Sequence, residues 1–544
     1  MSFTALLLTA TVGLPLAMLL ACLWQPLRER MLPWLALGAV PGLAAAFLSV
    51  RGELLVLGSA RFPLAFALDR PGAVLLGVAA LLWLAGGWYA AEYQRQAPDR
   101  GRFAVCWLMT LSGCLGIFVA ADMVSVYLLL ALLSVGTTGL VLQTGTPPAL
   151  RAGAIYIGMA LLAESLLLVG FVLIVNSAPG NTLLVADAPA AIVASPWRDA
   201  IFALLIAGFG IKVGLVPLHF WIPLAHGAAP VPASALLSGA VVKASVIGLI
   251  RFLPLDHSPW AAGAALAAVG LFGALYAVAV GVTQRHPKTV LAYSSVSQLG
   301  VIVAIIGMGM ASGDPNAGLI AAFYASNHVL SKGALFMAVG VVSATGSRRL
   351  WTIMLPAAVL AVGLGGLPLS GGALTKAVAK EVLGDGPSGA LATLSAIGTT
   401  LLMLHFLRRL RAFAAEDPAA TASCGLRRPW LLMAVASLVV PWALFLLSPR
   451  YSLPDALAPY ALWAALWPIA VGGALAYLLA RWQRLPELPE GDVVVALERA
   501  GLALSAMAGA ACVRLDGALR QWPLASVALL GLALAFAVAT LAGR

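Results

Sequence analysis

The chain has 544 residues, of which 62% are hydrophobic and only 10% are charged, and its formal net charge is +11. A soluble domain carries about 25% charged residues, so this composition excludes a soluble globular protein. Apolar runs of about 20 residues, each long enough to cross a bilayer, recur from end to end. We therefore expect a polytopic membrane protein, whose basic excess reports on topology rather than on nucleic-acid binding.

The apolar runs predict an all-α protein with 14 to 16 transmembrane helices, the first and last pairs being the weakest. In chain order the predicted spans are 3–24, 31–50, 71–90, 104–121, 122–143, 152–175, 200–217, 234–254, 260–282, 289–310, 317–345, 352–383, 388–408, 429–447, 458–481 and 522–541. The first run is followed by QPLRER and not by a small-residue cleavage site. We therefore expect a retained span and not a signal peptide.

The loops between these spans differ in their basic residues. The odd-numbered loops carry most of them: Arg28, Arg30, Arg95, Arg100, Arg102, Arg151, Arg285, Lys288, Arg348, Arg349, Arg408, Arg409, Arg411, Arg427, Arg428, Arg481 and Arg484. The even-numbered loops carry few, among them Arg51, Arg61, Arg70 and Arg450. The positive-inside rule then predicts cytoplasmic odd loops, with both termini on the outer side of the cell's inner (plasma) membrane.

The segment 490–521 has acidic and basic residues at helical spacing among apolar ones. This pattern favours an amphipathic helix that lies in the membrane interface or along a partner. An extra, poorly hydrophobic span is the alternative.

The cysteines and sequence motifs predict neither a cofactor nor a metal. Cys22, Cys106, Cys114, Cys424 and Cys512 lie far apart, without the spacing of iron–sulfur or zinc sites. The chain also shows no redox motif, no Walker A loop and no dinucleotide fingerprint. Whether it belongs to an enzyme stays open at this point. Any energy for transport must come from a partner or from an ion gradient.

Several ionisable residues fall inside predicted spans. They are Glu164, Lys212, His219, His226, Lys243, His328, Lys332, Lys376 and His405. A lysine at mid-bilayer costs about 2.5–3.5 kcal/mol, so such residues face a bundle interior or water. Lys380 is different: with Glu381 and Asp385 close behind it, we expect its side chain to reach the headgroups.

Spans 7 and 12 contain helix-breaking residues. Span 7 is expected to break at Pro217 and again at Pro223, and span 12 within GGLPLSGGALTK, residues 365–376. Breaks at matching places in two halves point to inverted repeats and an ion path. Spans 4–8 and 9–13 would form two inverted five-helix repeats. The expected segments are residues 1–103, two half-channels at 104–254 and 260–411, and C-terminal spans at 412–544.

At this point the motifs suggest a family. FGIKVGLVPLHFWIPLAHGAAPVPASALLSGAVVKASVIGLIRFLP (209–254) resembles the signature of proton-translocating antiporter-like membrane subunits. These subunits occur in respiratory complex I, in Mrp-type sodium/proton antiporters and in membrane-bound hydrogenases. QRHPKTVLAYSSVSQLG (284–300), NHVLSKGALFMAVG (327–340) and GLPLSGGALTK (366–376) resemble further landmarks of the family. The resemblance covers roughly residues 65–410.

The resemblance implies roles for the buried residues. Lys212 would be the half-channel lysine of span 7, and Lys243, in a broken span 8, would link the half-channels. His328 and Lys332 would form the central relay, and Lys376 would exchange protons with the outer side. The three other histidines, His219, His226 and His405, would be polar companions of this path.

One departure from the family concerns span 5. The family has a glutamate there that pairs with the span 7 lysine, but alignment on Asp122 puts Ala131 at that position. We expect Glu164 of span 6 to contact Lys212 instead, since a buried lysine needs an anion to keep its charge. The alternative is that Glu164 only makes hydrogen bonds within the bundle.

Three functions remain compatible with the sequence. The first is a proton-pumping, non-redox subunit of a redox-driven complex of the complex I or membrane-bound hydrogenase type, working with other membrane subunits. The second is a subunit of an Mrp-type cation/proton antiporter, or of another gradient-coupled transporter, with protons or sodium ions as cargo. The third is a structural scaffold that has lost its proton path.

Overall fold

The computed structural model describes residues 2–59, 62–257, 260–481, 488–519 and 522–542, so Arg61 and Arg484 of the charge count lie outside the described residues. The chain forms two compact units, residues 1–490 and 491–544. The helices of the first unit are α1 (Phe3–Ala21), α2 (Gln25–Arg30), α3 (Val40–Leu48), α4 (Arg70–Tyr93), α5 (Arg100–Val119), α6 (Met123–Val141), α7 (Pro147–Ser177), α8 (Ala188–Ala194), α9 (Arg198–Val213), α10 (Trp221–Ala228), α11 (Val231–Leu236), α12 (Lys243–Phe252), α13 (Ala262–Gly281), α14 (Pro287–Ser312), α15 (Ala317–Ser343), α16 (Trp351–Gly365), α17 (Gly371–Leu383), α18 (Pro387–Arg411), α19 (Cys424–Leu447), α20 (Leu453–Leu457) and α21 (Pro459–Arg481).

The second unit consists of α22 (Asp492–Leu519) and α23 (Trp522–Ala542). Most of the amphipathic segment is therefore helical, and residues 520 and 521 of it lie outside the described part. Its placement in the interface stays a prediction.

The helical, membrane-spanning class is confirmed. Within the described residues, eleven helices are long and apolar enough to cross a membrane. The remaining expected spans are special cases. The one at 31–50 is a 3-10 helix (Leu32–Ala39) followed by α3, and those at 200–217 and 352–383 are split. The one at 522–541 is α23, which contains the shorter apolar stretch Ser526–Ala535. α15 is long, but Asn327, His328 and Lys332 make it polar, and it is almost entirely buried.

The two predicted helix breaks are present. α9 ends at Val213, is followed by Gly214 with a φ of +81°, and is separated from α10 by seven residues. α16 and α17 are separated at Gly366, whose φ is +114°. The expected second break at Pro223 is wrong: this proline lies in the first turn of α10, where a helix needs no hydrogen bond from the residue's nitrogen. In span 8, a π-helical turn (Leu237–Val241) separates α11 from α12.

Two contacts between loops agree with the two sets that the charge count predicts. Arg348 N–H donates to Pro418 O at 3.1 Å, which joins odd loops 11 and 13. Met123 N–H donates to Leu183 O at 2.9 Å, which joins even loops 4 and 6. These contacts agree with an alternating path, while the assignment of one end to the cytoplasm stays a prediction.

Two local features add to the expected architecture. Even loop 2 contains an antiparallel hairpin, β1 (Leu55–Ser59) and β2 (Phe62–Phe66), where the sequence predicted only a loop. α13 packs on α14 through facing glycines: a Cβ on Gly300 would come within 2.4 Å of Gly270 O. Small residues permit such close approach of membrane helices. The division into inverted repeats stays a prediction.

Candidate functional site

Glu164 and Lys212 lie in direct contact inside the first unit. Lys212 Nζ is 2.8 Å from Glu164 Oε1 and also donates to Ser134 Oγ at 2.8 Å. Ser134 Oγ in turn donates to Glu164 Oε1 at 2.6 Å. The three side chains come from α9, α7 and α6, and the lysine and glutamate side chains are only 10% and 8% exposed. The contact expected from the sequence is therefore present, with a serine joined to it; we call these three residues the α6–α7–α9 cluster.

The helix break explains why the lysine lies here. Lys212 is in the last turn of α9, where a cation is favoured by the helix dipole. The end of α9 leaves backbone carbonyls without helical donors. Ile211 O at this end accepts from Gly214 N–H at 3.1 Å and from Trp221 Nε1 at 2.7 Å. A buried pair of this kind is costly to break, because either partner alone is an uncompensated charge.

A small cavity of about 20 Å³ adjoins Lys212. Its lining includes Tyr156 of α7, Trp221 of α10 and Ser245 of α12. This volume suits about one water molecule, and polar groups line it. The cavity thus extends from the α6–α7–α9 cluster to α12, the helix that carries Lys243.

Lys243 lies at the start of α12 and is completely buried. Its ammonium contacts His328 Nδ1 of α15 and donates to Ser238 O at 2.7 Å. Lys332 follows His328 by one helical turn and is also completely buried. Its Nζ donates to Leu291 O of α14 at 2.9 Å.

Two serines bridge the partners of these lysines. Ser238 Oγ lies 2.7 Å from Ser295 Oγ, and Ser295 Oγ donates to Leu291 O at 2.9 Å. Leu291 O is the carbonyl that also accepts from Lys332. The surroundings of Lys243 and Lys332 are therefore joined through contiguous polar groups. Neither serine stands out in the sequence, because serines are common in buried membrane helices.

Lys376 lies beside the break of span 12. Its Nζ donates to Leu364 O at 2.6 Å, so the lysine of α17 reaches back to the end of α16. Lys380, one turn further on, is exposed and pairs with Asp385 at 2.6 Å. The structure thus separates a partly buried lysine from an exposed one on the same short helix, as expected.

The structure does not bring the three remaining histidines together. His219 lies in the break after α9, edge-on to Tyr276 and Tyr293, with ring centroids 5.4 and 6.1 Å away. His226 is buried in α10 and stacks on Phe336 at 4.8 Å. His405 Nε2 lies 2.8 Å from Gln284 O, at the end of the bundle formed by the odd loops.

A charged pair that the sequence does not indicate lies at the end of the bundle formed by the even loops. Arg251 makes two bonds to Asp69, of 2.8 and 3.0 Å, and donates to carbonyls at the end of α5, including Phe118 O at 2.7 Å. Burial alone would raise the pKa of the Asp69 carboxyl, but Arg251 and the Gly72 N–H together hold this pKa below its ordinary value. The pair ties α4, α5 and α12 together beside a cavity of about 650 Å³. Its partners are 182 positions apart, so no local pattern links them.

A helical bundle that buries several lysines and a glutamate within its apolar spans defines a membrane protein that handles charge inside the bilayer. The family model described as "NADH:quinone oxidoreductase/Mrp antiporter, TM" matches residues 120–401 of this chain. The chain belongs to this family, and the resemblance inferred from the motifs is confirmed. The matched region runs from Ala120, just after α5, into α18, and so includes every lysine discussed above.

Curated relatives agree with this assignment. An uncharacterized protein of Mycobacterium tuberculosis is 32% identical over 434 residues, which is 72% of this chain and 67% of the relative. Hydrogenase-4 component B of Escherichia coli is 29% identical, over 51% of this chain and 43% of its own. NADH-quinone oxidoreductase subunit N of Desulforudis audaxviator is 33% identical, over 51% of this chain and 56% of its own. The chain thus spans about two thirds of the first relative and about half of the other two.

Two solved structures share the fold. One is the Mrp complex from Dietzia sp. DQ12-45-1b, with a TM-score of 0.78 and 23% identity, over 100% of this chain and 63% of the matched chain. The other is the membrane-bound sulfane sulfur reductase, an archaeal respiratory membrane complex. Its TM-score is 0.68 and its identity 20%, over 88% of this chain and 99% of the matched chain. At these identities the likeness establishes the multi-pass fold alone.

Proposed function

We propose that this protein is a proton-translocating subunit of a multi-subunit membrane complex driven by a redox reaction, of the complex I or membrane-bound hydrogenase type. The observation that carries the proposal is the buried Glu164–Ser134–Lys212 cluster, from which a water-sized cavity leads toward the helix of Lys243. Buried ionisable residues in membrane spans are costly and mark ion or proton paths.

The lysines suit this role because their charge depends on their partners. A buried lysine keeps its proton near a carboxylate and releases it when the carboxylate is neutralised or moves away. Lys212 has such a partner, Lys243 contacts a histidine, and Lys332 and Lys376 contact backbone carbonyls. A proton would pass between these stations through intervening polar groups and water. Lys376 would exchange it with the outer side.

Other membrane subunits are the expected partners, since both related structures are of multi-subunit complexes. Transport of one proton against 100 mV requires about 2.3 kcal/mol. Because this chain shows no redox or nucleotide-binding motif, we assign the driving reaction to those partners. We place the complex in the plasma membrane, with both chain termini outward. The likeness to the Mrp chain, over all of this chain and 63% of that one, supports a second candidate, a subunit of an Mrp-type cation/proton antiporter. Copurification of quinone-reductase or hydrogenase subunits would favour the first function, and copurification of antiporter subunits the second.

Lys243→Met tests the proposal in the complex reconstituted in vesicles with a pH-sensitive dye. We expect proton transport to be lost while assembly, measured on native gels, persists. The matched control is Lys380→Met, which removes an exposed lysine and is expected to transport normally. Normal transport by Lys243→Met would mean that the chain is a scaffold or that the path avoids this lysine.

A further inference from the structure

A cavity of about 430 Å³ opens at the end of the bundle where the odd loops meet. Its lining includes Tyr93, Thr146, Arg151, Gly227, Lys288 and Glu490, and so draws on odd loops 3, 5, 7, 9 and 15. By the charge count, all of these loops are cytoplasmic. The cavity is therefore a solvent-side opening between segments that are remote in sequence.

Lys288 forms the inner side of this cavity. It is the second residue of α14 and is buried, and its Nζ donates to Gly227 O at 2.9 Å and to Ala229 O at 2.7 Å. These carbonyls lie at the end of α10, where helical donors are missing. Lys288 thereby fixes the end of α10 against α14.

His226 connects this position to the interior. It immediately precedes Gly227, and its buried ring stacks on Phe336 of α15, one helical turn beyond Lys332. His226 therefore lies between the lining of the cavity and the helix that carries His328 and Lys332.

Glu490 lies at the outer side of the cavity. It is exposed, and its Oε1 accepts from Thr289 Oγ1 at 2.8 Å. Its Oε2 faces Gly227, since a Cβ there would lie 3.4 Å from this oxygen. Leu488 O accepts from Gln284 Nε2 at 3.2 Å, which fastens the same segment to the approach to α14. Of the described residues that line the cavity, Glu490 is the only acid.

We propose that this cavity is the mouth through which protons enter the central part of the path, and that Glu490 is its proton-collecting residue. The carboxylate takes a proton from bulk water and passes it, through water in the cavity, toward His226. Lys288 is a positioning residue that holds α10 in place. Glu490 lies beyond the region matched by the family model, residues 120–401, so this acid comes from the C-terminal part of the chain. The inference rests on the proposed function.

The test compares Glu490→Gln, Glu490→Asp and the control Glu416→Gln, which changes an exposed glutamate of odd loop 13. The assembled complex is reconstituted in vesicles, and proton uptake is measured from the side that carries the odd loops. We expect uptake to fall at least fivefold in Glu490→Gln, to stay within twofold of the unaltered protein in Glu490→Asp, and to be unchanged in Glu416→Gln. Assembly on native gels should be the same for all three.

Three outcomes would overturn the inference. If Glu490→Gln transports normally while Lys243→Met does not, the path exists and its mouth lies elsewhere. If Glu490→Asp is as slow as Glu490→Gln, the residue supports the segment structurally and does not collect protons. If Lys243→Met also transports normally, the proposed function itself fails, and the inference fails with it.

Discussion

Replacing Glu164 with glutamine removes the negative charge from the α6–α7–α9 cluster while keeping the shape of the side chain. The carboxylate lies 2.8 Å from Lys212 Nζ, and both side chains are at most 10% exposed, so the pair is buried. Breaking such a pair costs about 3–5 kcal/mol because one charge stays buried without a partner. If this cost fell entirely on proton transfer, the rate would drop by about two to four orders of magnitude. Loss of the Lys212 proton would remove the unpaired charge and reduce this cost, so we expect a decrease of at least tenfold in transport.

The assay is dye-detected proton transport by the reconstituted complex, with Ser165→Ala as the control because Ser165 follows Glu164 on the exposed side of α7. Ala131→Glu in the Glu164→Gln background should restore part of the activity. Position 131 lies one helical turn before Ser134, whose Oγ is 2.8 Å from Lys212 Nζ, so a carboxylate there can reach the lysine. Unchanged transport by Glu164→Gln would refute the reasoning, since Lys212 would then be tuned by another group.

Two further predictions concern stability. Asp69→Asn should lower the free energy of unfolding of the detergent-solubilised protein at pH 7 by about 1 kcal/mol. The effect is small because the carboxylate is 45% exposed and therefore screened by solvent. The folded state lowers the pKa of Asp69, so the stabilisation by the Asp69–Arg251 pair is present above the unfolded pKa of about 3.9. It disappears as the pH falls through the folded pKa. A difference in stability between Asp69→Asn and the unaltered protein that persisted at that low pH would contradict the ionic explanation. Gly300→Ala should cost about 1–3 kcal/mol, because the added Cβ would meet Gly270 O at 2.4 Å. Gly158→Ala, with no neighbouring atom within 4 Å, is its control, and equal melting temperatures for the two variants would show that α13 and α14 can separate without cost.

The features that were predictable from the sequence are those with a strong local physical signal. Apolar runs mark the spans because a bilayer requires them. The clustering of arginines in alternate loops predicts which loops lie on the same side of the membrane. The contact between Glu164 and Lys212 was predictable for the same reason, since an isolated buried lysine needs an anion. The motifs around Lys212 and Lys243 then indicated the family.

The remaining features depend on contacts that no local pattern encodes. Ser134 is an ordinary polar residue in an apolar helix until the fold places it beside Lys212. The sequence places Arg251 near the end of a span, yet its side chain donates to Asp69, which is 182 positions away. The error at Pro223 has another cause: proline disrupts a helix only after its first turn, and the start of α10 was not visible in the sequence.

The helix irregularities and the buried lysines are linked, because each irregularity leaves a backbone carbonyl free to accept a hydrogen bond from a lysine. In the π-helical turn, Val242 N–H bonds to Leu237 O, five residues back, and Lys243 takes the carbonyl of Ser238 at 2.7 Å. In span 12, the residue four positions after Leu364 is Pro368, which has no N–H to donate, and the ammonium of Lys376 bonds to Leu364 O at 2.6 Å. A regular helix would have used both carbonyls internally, leaving each lysine to find another partner in an apolar interior. The broken helices therefore provide the polar surroundings that make these charges tolerable within the membrane.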